Sequence, residues 1–253
     1  MRELAQKHIG MDPHFRYRGV EPGRLENFSD AIFALAITLL LISTSSPGNF
    51  EQIKRFMWDV IPFLCCISLI IMIWFEHFIF FYRYGLRHGK IVALNALFLT
   101  IVLIYVYPLK FLTKLILFPV GYLFGQDEII QELGGMIRGE DMAPLMIIYG
   151  LGAMSVFGVL YLMYRSALKQ ADQLDLNELE KFDTRMSMRK NLLLGLIPMI
   201  SVLMAALFIH QWFAGMVAGF TYFLYTPVMF IFGNRMEKKR KLFLEKMNLS
   251  EAQ

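Results

Sequence analysis

Charged residues are scarce in this sequence of 253 residues, because Asp, Glu, Lys and Arg together make up only 18% of it. Soluble globular domains normally carry about 25% charged residues. Apolar residues, by contrast, reach 57%. This composition argues against a soluble enzyme or binding domain and favours a protein that crosses a membrane several times.

Cysteine is nearly absent, since only Cys65 and Cys66 occur, side by side in an apolar run. Adjacent cysteines do not readily pair with each other and lack the spacing of a metal site, so we expect two small buried apolar residues. Residues 1–22 also contain no apolar segment of the signal-peptide type. We therefore expect the first apolar helix to act as its own insertion signal.

Catalytic and metal-binding motifs are missing as well. The sequence has no H-E-x-x-H, G-x-S-x-G or Walker motif. No arginine lies at the centre of an apolar segment, so strong voltage sensing is not expected. We expect a protein that is not an enzyme and has no cofactor and no structural metal. The five histidines are scattered at His8, His14, His77, His88 and His210.

Six apolar segments are long enough to span a membrane, or nearly so. They predict an all-α integral membrane protein, with residues 1–253 forming a single transmembrane domain of six helices per subunit. We expect Pro108 to kink or end the long third segment. His210 and Gln211 are expected to join the last two spans in a tight hairpin. The predicted spans are residues 28–46, 58–82, 91–118, 143–165, 191–210 and 212–233.

The Lys and Arg residues are distributed unevenly around these spans. Twenty of the 25 lie before the first span, after the sixth, or in the second–third and fourth–fifth connections. By the positive-inside rule, both termini are expected in the cytoplasm. Residues 166–190 are expected to be a cytoplasmic linker with an amphipathic helix at the membrane surface. Residues 234–253 form a cytoplasmic tail whose basic run is interpreted as a positive-inside signal, with anionic-lipid contact left open and nucleic-acid binding not expected.

One face of the first apolar segment carries a stripe in which hydroxyl residues lie among apolar ones. At about 100° per residue, a single stripe contains Ala31, Leu35, Thr38, Ile42 and Ser45, flanked by Leu39 and Ser46. We call it the Thr38 stripe. Hydroxyl residues at membrane helix contacts often bond back to the carbonyl four residues earlier, so one interpretation is packing against another helix. The other is a pore wall, in which symmetric copies stack apolar rings above and below a ring of Thr38 hydroxyls.

Ser29 and Asp30 precede this stripe and point away from it. Together they are typical of a helix N-cap followed by an anion in the first turn. A carboxylate at the membrane interface is costly without a partner. We expect that partner to be Arg24, His77 or Asn95, with Glu76 as a further polar neighbour and Trp74 as an interface anchor.

These residues resemble a known family. The segment Arg24-Leu-Glu-Asn-Phe28-Ser29-Asp30 matches the R-x-x-x-F-S-D signature of the lysosomal potassium-channel family, the transmembrane protein 175 type. The following AIFALAITLLL is similar to the apolar, threonine-containing first helix of that family. Only one copy of the signature is present, as in the shorter prokaryotic members, whereas animal members carry two repeats.

The resemblance implies a potassium-selective channel in a bacterial inner membrane that assembles as a homotetramer. It implies a central pore lined by the first helix, with Leu35 and Ile42 as apolar constrictions and Leu39 and Ser45 beside them. Potassium would pass along the axis near Thr38, with other monovalent cations and the lipid bilayer as further partners. A structural polar network at the helix base would contain Arg24, Phe28, Ser29, Asp30, His77 and Asn95.

Other interpretations remain open from the residues themselves. A proton-coupled or cation secondary transporter would use His77, Glu76 and Asp30 as a proton path, and a non-conducting membrane interaction protein would use none of them. The PVGYLFG sequence of residues 119–125 resembles the T-V-G-Y-G potassium filter only in part. It lacks the preceding Thr and a Gly directly after Tyr122, so we do not interpret it as a filter.

Overall fold

The protein consists of long helices in a computed structural model that describes residue 12 and residues 14–42, 48–123 and 138–251. No strand occurs among these described residues. The helices are α1 (Arg24–Ile42), α2 (Phe50–Tyr84), α3 (Gly89–Leu123), α4 (Met142–Lys169), α5 (Glu178–Leu207), α6 (Ala214–Phe220) and α7 (Tyr225–Glu251). Short 3₁₀ turns precede α4 at Gly139–Asp141 and join α6 to α7 at Thr221–Leu224.

Five helical segments in the described part of the chain are long and apolar enough to cross a membrane. Helix α1 is 19 residues long and is not among them, so a count of six spans stays a prediction. The five segments are Phe63–Tyr84, Gly89–Val106, Gly139–Lys169, Glu178–Leu207 and Ala214–Lys246.

Three local features differ from the sequence-based expectation. Helix α3 continues through Pro108 to Leu123, and the Tyr149 hydroxyl donates to the carbonyl of Pro108. Residues 178–190 are the first turns of α5, so they do not form a separate linker helix. Asn177 and Glu180 form a capping box, in which each side chain accepts a hydrogen bond from the other residue's backbone amide, and α5 therefore begins before the predicted span. The last predicted span is divided between α6, a 3₁₀ turn and α7.

The main core lies where α1, α2, α3 and α4 meet. From α1 it receives Phe33, Ala36 and Leu40, all of which are buried. Phe80 on α2 and Tyr164 on α4 meet edge to face, with 5.3 Å between their ring centroids. Aromatic pairs in this geometry add to the energy of simple apolar burial. This packing buries one side of α1.

The segment ahead of α1 is held against α2. We call residues 14–23 the N-terminal strap. The Arg18 and Gly19 amides donate to the carbonyls of Arg83 and Tyr82 at 3.2 and 3.1 Å. A Cβ at Gly19 would lie 2.0 Å from the carbonyl oxygen of Phe81, so only glycine fits there. Gly85, opposite, has a φ of +58°, which glycine adopts without steric cost.

A buried carboxylate ties the strap to α5. The Glu180 side chain is 0% exposed, and it accepts from the Arg16 amide at 2.8 Å and from the Arg18 guanidinium at 2.9 Å. The Glu180 carboxylate also accepts a hydrogen bond from the Asn177 amide at 2.9 Å, which completes the N-terminal cap of α5. A charged group this deep is tolerated only when its lone pairs are satisfied. Glu180 therefore joins the start of α5 to the chain that leads into α1.

Replacing Glu180 by glutamine tests this connection. The substitution removes the charge between two arginines, so we expect the free energy of unfolding to fall by about 2 kcal/mol. Thermal unfolding of the purified protein in detergent measures the change. Glu178→Gln is the matched control, because Glu178 lies two residues away on the exposed side of α5 and pairs with Lys181. Equal melting temperatures for the two variants would contradict the proposed importance of Glu180.

Candidate pore helix and its polar base

Helix α1 has two faces with different surroundings. Phe33, Ala36 and Leu40 are at most 3% exposed and pack into the core. On the other side, Leu35 and Leu39 are 46% and 45% exposed, and Ala31 and Thr38 are exposed as well. Over these positions, the Thr38 stripe is therefore not buried by another helix in the described part of the protomer.

The Thr38 hydroxyl bonds within its own helix. It donates to the Ala34 carbonyl at 2.8 Å, the back-bond that the packing interpretation included. With its hydrogen used in this way, the oxygen offers only its lone pairs to any group beyond the helix. Ile42 ends α1, and its side chain is outside the description. Ser45, the last predicted residue of the stripe, lies outside the described residues.

A chain of three buried side chains joins α1 to α2 and α3. The His77 Nε2 atom donates to Asn95 Oδ1 at 2.6 Å, and Asn95 Nδ2 donates to Ser29 Oγ at 2.9 Å. Ser29 in turn donates to the Leu25 carbonyl at 2.8 Å. Each of the three side chains is at most 2% exposed. Every hydrogen-bonding step has a donor and an acceptor, so the chain is stable without an ion.

Aromatic rings surround His77 and keep water away from it. Its ring lies 5.2 Å from that of Phe98, nearly parallel, and 4.8 Å from that of Phe81. Phe33 of α1 completes the enclosure at 5.7 Å. A histidine enclosed in this way is suited to fixing helix positions. Ser29, His77 and Asn95, which we expected to be close from the sequence, are indeed brought together.

The other members of the predicted network lie elsewhere. Asp30 is exposed and accepts from Trp74 Nε1 at 2.8 Å. Arg24 is exposed too, and within the described chain no hydrogen bond or ion pair joins it to Asp30. Six residues on a helix turn the side chain through about 600°, which leaves Arg24 and Asp30 some 120° apart. Phe28 is 59% exposed and does not pack into the base of the helix.

Trp74 is the functional residue whose role the sequence reasoning missed. It was expected to be an interface anchor, whereas its indole donates to the signature aspartate. A signal was available, because Trp74 precedes His77 by three residues and so lies on the same side of α2. Trp74 and His77, which lie within one turn of α2, therefore both contact α1.

The groups of the predicted proton path have separate partners. Glu76 pairs with Lys190 at 2.5 Å, Asp30 with Trp74, and His77 with Asn95. No hydrogen bond in the described structure connects these three pairs to one another. This arrangement disfavours a relay along them.

Comparisons with known proteins agree with the signature. Residues 24–106 match the family described as endosomal/lysosomal potassium channel TMEM175. A protein of Marivirga tractuosa named potassium channel is 42% identical over 248 residues, which is 97% of this chain and 100% of that protein. A crystal structure of the potassium channel MtTMEM175, as a T38A variant in complex with a nanobody–MBP fusion protein, is 43% identical with a TM-score of 0.81. That match covers 90% of this chain and 99% of the other.

The family resemblance noted in the sequence is thus confirmed along almost the whole chain. The apolar helices and the family together identify an integral membrane protein. With a near-full-length relative well above 30% identity, this chain belongs to the TMEM175 potassium-channel family.

Proposed function

We propose that this protein is a potassium channel in which the α1 helices of four identical subunits surround a central pore. The observation that carries the proposal is the open face of α1. Leu35, Thr38 and Leu39 are exposed in the described structure of the protomer, although they belong to the family signature helix. Copies of the same helix around an axis would cover that face.

The residues of the Thr38 stripe determine what such a pore does. Leu35 and Ile42 are seven residues apart, so their rings would lie about 10 Å apart along the axis. Apolar rings close a pore by excluding water, and they open when the helices separate. Thr38 lies between them, with its lone pairs free for a partly dehydrated potassium ion. No cofactor is needed for this passive flux.

The buried chain of Ser29, Asn95 and His77 would hold the base of each pore helix. Because its hydrogen bonds are complete, it supports α1 without contacting the ion. The distribution of Lys and Arg supports cytoplasmic termini, and a single signature supports a bacterial inner membrane. Backbone carbonyls of residues 119–123 are unsuited to a filter, since these residues are helical.

Ion flux tests the proposal directly. The purified protein is reconstituted into vesicles with a potassium gradient, and potassium efflux is followed against protein-free vesicles. We expect flux that increases linearly with concentration and discrete current steps in a planar bilayer. Absence of flux would contradict the channel, and saturable exchange coupled to protons would instead support the secondary transporter.

Thr38→Ala tests the hydroxyl ring. Removing the oxygen lone pairs should lower the potassium-to-sodium permeability ratio by roughly tenfold, corresponding to about 1.4 kcal/mol, while current persists. Reversal potentials under mixed gradients measure the ratio. Thr100→Ala is the matched control, because Thr100 is also exposed and donates to Ala96 at 2.8 Å on α3. An unchanged ratio in Thr38→Ala would remove Thr38 from the selectivity mechanism.

Asn95→Leu tests the base of the pore helix. It leaves the His77 donor buried without an acceptor, which costs about 1–3 kcal/mol. We expect a lower melting temperature and fewer tetramers on size-exclusion chromatography with light scattering. Asn27→Leu, at an exposed position of α1, controls for loss of an amide. Normal assembly of Asn95→Leu would show that the chain does not hold α1.

A further inference from the structure

The cations at one end of the helix bundle fall into two groups. This end contains the start of α5, the end of α4 and the second half of α7, because Arg240 of α7 pairs with Asp183 of α5 at 2.9 Å. Several of these cations have carboxylate partners within the protein. Those that point outward include several that do not.

One group of cations is neutralised by carboxylates of the same chain. Glu180 binds Arg16 and Arg18, Glu76 binds Lys190, and Asp183 binds Arg240. Two further lysines are also paired, Lys181 with Glu178 and Lys241 with Glu237. These pairs account for most of the carboxylates of α5 and α7.

Six of the remaining outward cations form a regular set that we call the basic collar. Three helices each present two exposed cations four residues apart, and none of the six has a hydrogen bond or ion pair in the described structure. They are Arg165 and Lys169 on α4, Arg185 and Arg189 on α5, and Arg235 and Lys239 on α7.

Spacing makes this set unfavourable in isolation. Residues four apart lie on the same side of a helix, and two like charges there destabilise it. Because the same spacing occurs on three helices at one end, opposing charge from outside the chain would stabilise all three. No acidic side chain of the described protein supplies it.

The depth of the collar identifies where that charge resides. Arg165 directly follows the apolar part of α4, Arg189 lies just before that of α5, and Arg235 lies just after that of α7. The outermost members reach about 9 Å beyond these boundaries at 1.5 Å per residue. The polar headgroup layer extends roughly 5–8 Å beyond the hydrocarbon on each side. The inner member of each pair thus lies at the level of the lipid phosphates, and the outer member reaches just beyond them.

We propose that the basic collar binds the phosphate groups of anionic phospholipids in the leaflet at this end of the bundle. The inference rests on the proposed membrane orientation and does not depend on ion conduction. Arginine pairs with phosphate in a bidentate way, and lysine binds it as a point charge. Zwitterionic lipids offer the same phosphate with a compensating ammonium, so the collar should prefer lipids with net negative charge.

Lipid retention by the intact protein tests the collar. The full-length protein is incubated in detergent with equal amounts of phosphatidylglycerol and phosphatidylcholine, and bound lipid is counted by native mass spectrometry. We expect the wild type to retain phosphatidylglycerol preferentially. Arg189→Gln/Lys239→Gln should weaken this retention by about tenfold or more. Addition of salt should reduce it in the wild type.

A matched double variant and a soluble anion complete the test. Lys181→Gln/Lys241→Gln removes the same charge from the same two helices, but from paired lysines, and should retain phosphatidylglycerol like the wild type. If both double variants lose phosphatidylglycerol to the same extent, retention depends only on net charge, and the proposed lipid site is wrong. Inorganic phosphate that displaces the lipid at equal concentration would show a free-anion site and overturn the lipid assignment. A wild type without lipid preference would also overturn it, whether or not the protein conducts potassium.

Discussion

The fold depends on the buried hydrogen bonds that run from His77 through Asn95 to Ser29. They fix the rotation of α1 against α2 and α3, because each side chain has one direction in which its donor or acceptor is satisfied. Apolar packing alone tolerates some sliding between helices, whereas an unsatisfied buried polar group costs about 1–3 kcal/mol. This constraint selects Phe33, Ala36 and Leu40 as the buried face of α1. The opposite face, with Thr38, is thereby left open.

A second constraint acts on the chain before α1. The N-terminal strap is fastened to α2 by backbone hydrogen bonds and to α5 by Glu180. Arg240 extends the connection to α7, since it pairs with Asp183 and also reaches Asp12. The start of the proposed pore helix is therefore coupled to the last helix of the chain.

Features that depend on neighbouring residues could be predicted from the sequence, whereas contacts between residues far apart in the sequence could not. Hydropathy and the signature around Phe28 and Asp30 predicted the helical membrane class and the family. Residue depth along each span selected His77 and Asn95 as candidate partners of Asp30, whereas the structure joins them to Ser29 and pairs Asp30 with Trp74. The Trp74–Asp30 bond depends on how α2 is rotated, and the Glu180–Arg16 contact joins residues 164 positions apart. Neither follows from hydrophobic periodicity, which gives no pairing between helices.

The division of polar groups explains why α1 is suited to a pore. At its base, Ser29 and Asp30 are hydrogen-bonded to side chains of α3 and α2. Higher up, Thr38 has given its hydrogen to Ala34 and keeps only acceptor capacity. Between Leu35 and Ile42, the helix thus offers side-chain hydrogen-bond acceptor capacity at one level, that of the Thr38 oxygen. A transporter site needs polar groups that change partners, whereas the proposed pore would need only a separation of the α1 helices to open.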